Sequence, residues 1–467
     1  MKAPGRRSGW IVGFCLLATT NIAPASAAVA REASMFDARP AVGGSTQRVG
    51  GTVYFSADDG IHGAELWKTD GSEDGTVLVR DIASGRDGSS PYELRRVGSI
   101  VLFAAYEPRH GWELWKSDGT FRGTDMVKDI AHGSTGSEPE FLTVVDDTLF
   151  FEAWDGIHGD ELWKSDGTTA GTVMVRDVTP GPLGSSLSQL IDVDGEVFFQ
   201  VVARHVGYQL WKSDGTTRGT VLVGLISIYR TFGGCSTSDH LLFCAGSDRP
   251  HGVELWESDG TTAGTRIVKD IVPGRLGSWP KWLTDVGGTL FFTVGGELWR
   301  TDGTLAGTTL VKEMSSVTNL VVSGGSLYFD ANDGVHGKEL WTSDGTEAGT
   351  VLVKDINPRR SSYPTDLEDV NGTLFFVASD PDHGRELWSS DGTEAGTVLV
   401  ADIRPGEESS TPFWLESVGG MLYMNASDGI HGRELWRSDG ATAGTVLVDD
   451  IRPGPKPSRP SEITSAS

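Results

Sequence analysis

The segment Glu-Leu-Trp-x-x-Asp-Gly occurs nine times in this chain, with Gln209 replacing Glu in one copy, and its Trp falls at 67, 115, 163, 211, 256, 299, 341, 388 and 436. The copies are spaced by 48, 48, 48, 45, 43, 42, 47 and 48 residues. A period of that length marks a propeller, a solenoid or an array, because each unit must stack on its neighbours to bury a core. The third copy shows the layout. Phe141 to Val145, a turn at Asp146-Asp147 and Leu149 to Ala153 are followed by the loop Asp155-Gly-Ile-His-Gly159; Glu161 to Ser165, the loop Asp166-Gly-Thr-Thr-Ala-Gly171 and Thr172 to Val178 complete it. This reads as four short strands joined by three hairpins.

Neighbouring residues of a strand point to opposite faces, so Leu149-Phe150-Phe151 and Leu162-Trp163 place apolar side chains on both sides of each small sheet. Radial stacking covers both sides, whereas a sandwich leaves one side of each sheet in water. The expected fold is therefore all-β, a β-propeller of about nine four-stranded blades in a single ring, with a superhelical or two-lobed stack of sheets as the alternative. Nine exceeds the usual range of about four to eight blades, but no Pro-rich or polar linker divides residues 48–453. Sixty-two glycines against 7 methionines agree with many short turns. Either end could close the ring. In segment 28–47, Phe36-Asp-Ala-Arg-Pro40 resembles the Asp402-Ile-Arg-Pro405 end of a fourth strand, and in the tail 454–467, Ser461-Glu-Ile463 could begin a first strand.

These nine motifs resemble the bacterial family of secreted Glu-Leu-Trp-x-x-Asp-Gly-Thr repeat proteins, sometimes labelled hyalin-like, over about residues 48–453. The resemblance implies export and repeated β units, and it brings no activity and no binding residues. The chain departs from the pattern at Gln209 and in the sixth unit, which lacks the Asp-Gly-x-His-Gly loop before Glu297.

The first residues agree with export. Lys2, Arg6 and Arg7 precede an apolar run from Trp10 to Ala18, and Ala25-Ser26-Ala27 is a small-residue cleavage site, so residues 1–27 read as a signal peptide removed after Ala27 or Ala28. The run is shorter than the roughly 20 residues a membrane span needs, so no span is expected after cleavage. The expected location is the periplasm, the cell surface or the medium. Cys15 leaves with the signal. Cys235 and Cys244 remain, flanking a hairpin; a turn near Ser238-Asp239 sets them on a diagonal with Cα atoms about 7 Å apart or more, which leaves both the bridged and the free form open. The formal net charge of −25 repels phosphate backbones, so no nucleic-acid partner is expected.

An active site is one asymmetric constellation, whereas the polar residues of this chain recur seven to nine times, which favours structural or multivalent roles. The Asp three residues after each Trp always precedes Gly, as in turns where Asp binds backbone amides and Gly takes positive φ. It is similar to the Asp-box hairpin of sialidases, but the spacing differs and no catalytic meaning follows. A six-residue hairpin loop would set Glu65 opposite Arg80, Glu113 opposite Lys128, Glu161 opposite Arg176, Glu254 opposite Lys269, Glu297 opposite Lys312 and Glu339 opposite Lys354, as cross-strand ion pairs. Gln209 and Gly224 lack acid and base together, while Ala401 opposite Glu386 and Asp449 opposite Glu434 dissent.

His62, His110, His158, His205, His251, His336, His383 and His431 sit in or beside the loop between the second and third strands. One imidazole per blade cannot share an ion within about 2.0–2.6 Å, so turn stabilisation is expected, with a ring of pH-responsive or ligand-contacting groups as the alternative. No cofactor is expected. Ca²⁺ at Asp58-Asp59-Gly60, or at Asp380 with Asp382, stays open, although neither matches an EF-hand loop.

No Gly-x-Ser-x-Gly elbow, His-Glu-x-x-His or paired-Cys zinc spacing occurs, and the balance is against an enzyme. A unique site would fall where the repeat breaks, in units four to six, at Arg204, His205, Tyr208, Tyr229, Arg230, His240, Trp279 and Trp282. The expected function is a non-enzymatic scaffold, monomeric, that holds an extracellular protein or polysaccharide. The alternatives are an extracellular polysaccharide hydrolase or lyase and a Ca²⁺-dependent adhesive protein.

Overall fold

Each repeat folds as its apolar pattern dictates. In the computed structural model, which describes residues 51–203, 207–229, 234–248 and 250–466, the chain forms nine antiparallel sheets of four short strands arranged in a ring, a β-propeller. The third blade runs Glu140–Val145, Thr148–Trp154, Asp160–Ser165 and Val173–Arg176 from the axis outwards. Its first turn is the two-residue Asp146-Asp147, both with positive φ, as a tight hairpin requires. Every blade interface is one apolar layer. Tyr54, Leu66 and Val79 of blade one pack on Leu94, Phe103 and Trp115 of blade two, while Leu102 and Leu114 on the other side of blade two pack on Leu142, Phe151 and Trp163 of blade three. Nine such layers form one circuit, including the one between blades nine and one.

The C-terminal strand Ser461–Ala466 closes the ring. It pairs antiparallel with Thr52–Asp58 and so serves as the inner strand of blade one. Phe36–Pro40 and the signal segment lie outside the described residues. Arg452 donates to Asp58 across the same seam at 2.5 Å. Blade five departs from the pattern, because its inner strand is split into Ser227–Ile228 and Cys235–Ser238, both paired with Leu241–Ser247. Its turn is Asp239-His240, one residue later than Ser238-Asp239. Cys235 therefore stands directly opposite Cys244 rather than on a diagonal, and the two form a disulfide with Cα atoms 4.1 Å apart.

The cross-strand ion pairs expected between the repeated Glu and the repeated Lys or Arg do not form. A bulge after Leu66 moves Arg80 opposite Leu66, and the same shift recurs at Leu114, Leu162, Leu255, Leu298 and Leu340. The Glu turns inward instead. The fully buried Glu65 accepts from the backbone N–H groups of Ile82, Ala83 and Ser89 at 3.1, 3.0 and 2.9 Å, and from the Ser89 hydroxyl. All of these donors lie in the connection from the fourth strand to the inner strand of the next blade. Glu113 with Ser137, Glu161 with Ser185, Glu254 with Ser278, Glu339 with Ser362, Glu386 with Ser410 and Glu434 with Ser458 repeat the arrangement. Each carboxylate thus clamps the crossing segment whose buried amides have no strand partner.

The basic residues bind the following blade. Lys128 donates to the Thr172 carbonyl at 2.8 Å and Arg176 to that of Thr220 at 2.6 Å, with Lys269, Lys312 and Lys354 placed alike on Thr308, Thr350 and Thr397. Arg80, Lys128, Arg176 and Lys312 also lie over the Trp rings of the next blade, at 5.6–5.8 Å from the ring centroid. They therefore join blades instead of strands within a blade.

The repeated loops are locally satisfied. Asp166 accepts from Thr168 N–H and hydroxyl at 2.8 and 2.7 Å, and Gly171 has no alternative, since a Cβ there would come within 2.1 Å of the Asp166 carboxylate. In the loop between second and third strands, Asp59 accepts from the N–H groups of Ile61 and His62 at 2.8 Å and faces His62 Nδ1 at 2.7 Å. His110, His158, His251, His336, His383 and His431 face the acid three residues earlier in the same way.

Removing one clamp leaves several buried N–H groups without an acceptor. Glu113→Ala is expected to lower unfolding free energy by about 1–3 kcal/mol, measured by urea denaturation; an unchanged midpoint would mean that the connection holds without its carboxylate. Burial pushes Glu65, Glu113, Glu161, Glu339 and Glu386 up to about 7, and Glu434 up to about 8. The hydrogen bond to its Asp raises each of His62, His158, His251, His336 and His383. Both sets bind protons more tightly folded than unfolded, so their contribution to stability is complete below the unfolded values and is lost as pH rises through the folded ones. The Tm is expected to fall from pH 5.5 to pH 8, and a Tm rising over that range in a thermal melt would contradict it.

Candidate functional site

Up-and-down strands put the loops between second and third strands, and the connections between blades, on one face of the ring. The turns between first and second strands and the Asp-Gly hairpins lie on the other. The first face carries the clamps, the His loops and most of the repeat-breaking aromatic residues.

The sequence-selected residues do not form one cluster. Arg204, His205 and Arg230 lie outside the described residues. Tyr208 stands at the start of the third strand of blade four and is 48% exposed. His240 is on the opposite face, in the Asp239-His240 turn, where it bonds Asp194 of blade four at 2.8 Å. Trp282 packs against the apolar layer between blades six and seven. Tyr229 and Trp279 do meet, edge to face with ring centroids 5.2 Å apart.

Trp279 follows the clamped Ser278. Its backbone is left-handed with φ 55°, as are Ser90, Glu138, Ser186, Tyr363, Thr411 and Arg459 at the same place in other blades. The fold thus sets the backbone there but accepts side chains of every kind. The Trp279 amide donates to Val253 O and its indole N–H to Leu276 O at 2.8 Å, which holds the ring in place while 45% of the residue remains exposed. Leu276 beside it is 82% exposed.

Blade six next to this loop is bare. Its second and third strands are joined by the turn Gly295-Gly296 between Thr289–Val294 and Glu297–Thr301, and its connection to blade seven runs directly from Lys312 to Ser315. Both glycines have positive φ (63° and 93°), and a Cβ on Gly296 would meet the Ser316 amide nitrogen at 2.8 Å. The incoming inner strand of blade seven therefore lies against the turn, with Val317 N–H donating to Gly296 O at 3.0 Å. In blade two, Tyr106 N–H reaches back to the Ser89 carbonyl, and Trp154, Val202, Ser379 and Ser427 do the same in their blades. Gly295 takes that place in blade six, so the second strand stops beside Ser278 and Trp279. The result is a notch on the loop-bearing face, bordered by Trp279 on one side and on the other by the next His loop, whose tip Val335 is 81% exposed.

The shortened connection also frees Glu297. With no clamp serine within reach it is only half-buried, and its carboxylate faces the Trp299 indole N–H at 3.4 Å. Gln209 of blade four does likewise with Trp211 at 2.9 Å. The oxygens of Asp58 and Asp380 are taken up by Arg452 and by local N–H groups, and among the described residues no group of three or more His, Cys, Asp or Glu is arranged to hold a metal ion. Among the same residues no helix is long and apolar enough to cross a membrane.

No family model and no curated protein matches the sequence. Among solved structures, a puromycin hydrolase is 14% identical with a TM-score of 0.36, the alignment covering 67% of this chain and 53% of that one. A structure from a study of two prolyl endopeptidases is 12% identical with a TM-score of 0.39, covering 74% and 52%. An uncharacterized protein from Listeria monocytogenes is 11% identical with a TM-score of 0.37, covering 76% and 94%. The chain spans about half the length of the peptidases it matches, and at these values the likenesses carry no argument about function.

Proposed function

We propose that this chain is an exported propeller of the repeat family it resembles, acting without catalysis as a scaffold that holds an extracellular protein or polysaccharide on its loop-bearing face. The observation that supports this most is the way the His loops present their tips. In blades one, three, seven and nine, one Asp accepts two consecutive N–H groups, at 2.8–2.9 Å, and the residue carried on that turn is the exposed Ile61, Ile157, Val335 or Ile430. Large apolar side chains held in water on pinned loops lose little conformational freedom when a partner covers them, which is what an interaction surface needs. The polar groups of the repeat, in contrast, are spent on the clamps and turns described above.

Capture of secreted polymers or proteins by the mature chain, measured by co-sedimentation and surface resonance, is expected to leave the partner intact. Conversion of a bound polymer to shorter chains or unsaturated sugar ends would replace the scaffold by a hydrolase or lyase, and a Tm lowered by EDTA would favour the Ca²⁺-dependent adhesive protein.

A further inference from the structure

Several features converge on blade six. The second-to-third-strand loop and the connection to blade seven are both cut short, so two separate deletions open one depression on one face. At its border stands Trp279, in a place where other blades carry Ser, Glu, Thr, Tyr or Arg, so packing of the repeat does not call for an indole there. The ring is nevertheless fixed, by its bond to Leu276 O and by its T-shaped contact with Tyr229. In the same blade, Glu297 is the clamp glutamate that has lost its clamp and is left half-exposed.

An exposed aromatic ring held at the entry to blade six, with a hydrogen-bonding carboxylate at the start of the third strand on the same face of that blade, is a combination that recognises a sugar. The axial C–H groups of a pyranose lie on the π face, and a carboxylate accepts from neighbouring hydroxyls in a charge-assisted way. We propose that the notch of blade six is a subsite for one or two residues of a neutral glycan chain, with Trp279 as the stacking platform and Glu297 as acceptor from sugar hydroxyls. The proposal rests on the scaffold reading given above and names its ligand class. A neutral chain is favoured over a polyuronate because Glu297 and the exposed Glu313 put carboxylates in the shortened blade and the whole chain carries −25, against the two exposed cations Arg275 and Lys281 that flank Trp279. The Gly295-Gly296 turn and the short connection to blade seven remove from blade six the longer segments that cover this end of other blades.

The test uses the mature full chain with cello-, xylo-, manno- and chitohexaose as neutral probes and an oligogalacturonate as the acidic one, measured by isothermal calorimetry. At least one neutral hexasaccharide is expected to bind, with affinity insensitive to salt, and Trp279→Ala is expected to weaken it at least tenfold. Glu297→Gln should weaken it several-fold. This variant is compatible with folding, because Gln209 already occupies the equivalent place in blade four on the same indole N–H, and a matching Tm verifies it. Leu305→Ala, exposed in the Asp-Gly hairpin of blade six on the opposite face, should bind as the parent does. Equal affinity of Trp279→Ala for a bound glycan would overturn the subsite and leave the scaffold reading standing, as would binding of the oligogalacturonate alone. Binding of none of the probes while a protein partner is captured would have the same meaning. Shortening of the bound hexasaccharide would instead sink the scaffold reading while keeping the notch as the sugar site.

Discussion

The buried glutamate clamp decides how one blade is set against the next. A carboxylate moved out of water is costly unless its oxygens are fully used. Glu65 offsets part of that cost by accepting three backbone N–H groups and a serine hydroxyl from the segment that crosses to blade two, and the remainder shows in its raised pKa. The crossing segment has no sheet partner for those amides, so carboxylate and connection satisfy each other. Since the Glu belongs to the third strand and the Ser lies 24 residues later in six of the seven clamps, the bond fixes the path from an outer strand of one blade to the inner strand of the next. The Lys or Arg over the next Trp adds a second tie towards the outer edge. Repeated around the ring, equal ties give equal rotations, and the C-terminal strand can then meet Thr52–Asp58 in register.

The two blades without the clamp are the irregular ones. In blade four Gln209 replaces the acid, and the inner strand that follows, in blade five, is interrupted between Ile228 and Cys235. The disulfide rejoins that split strand to its neighbour at Cys244. In blade six the acid is present but the connection is too short to bring a serine to it, and the chain passes straight into Ser315–Ser323, a longer inner strand. The apolar layers continue through both places, with Phe198 and Leu242 between blades four and five, and Phe291 and Phe329 between six and seven. Packing therefore holds the ring there while polar geometry is free to vary.

The fold was legible because it depends on short-range periodicity. Alternation with apolar residues on both faces, two-residue turns such as Asp146-Asp147 and the Trp spacing dictate strands, hairpins and stacking. The partners of Glu65 were not legible from the same reasoning. The expected register is right beside the hairpin, where Trp67 faces Leu78, and wrong by one residue beyond the bulge, where Leu66 faces Arg80. One residue of slip turns a side chain to the other face, and so converts a surface ion pair into a buried clamp. The signal that could have exposed it is the serine at a near-constant distance from each Glu, absent after Gln209 and Glu297. The Cys235–Cys244 geometry failed for a similar reason, a turn displaced by one position.

The notch was less accessible still. The sequence shows two shortened segments about twenty residues apart, and only the alternation of strand direction places both on the same face of the same blade. Trp279 and Tyr229 are fifty residues apart and meet because the split inner strand of blade five lies under the connection clamped by Ser278. A repeat protein offers an internal control that a single-copy fold lacks. Glu297 can be compared with Glu254 and Glu339 in the neighbouring blades, where the same residue on the same strand is fully buried and committed to structure. Where one copy keeps the residue and loses its structural partner, the carboxylate is left half-buried with only the Trp299 indole N–H as partner among the described residues, and binding chemistry can be built there without destabilising the ring.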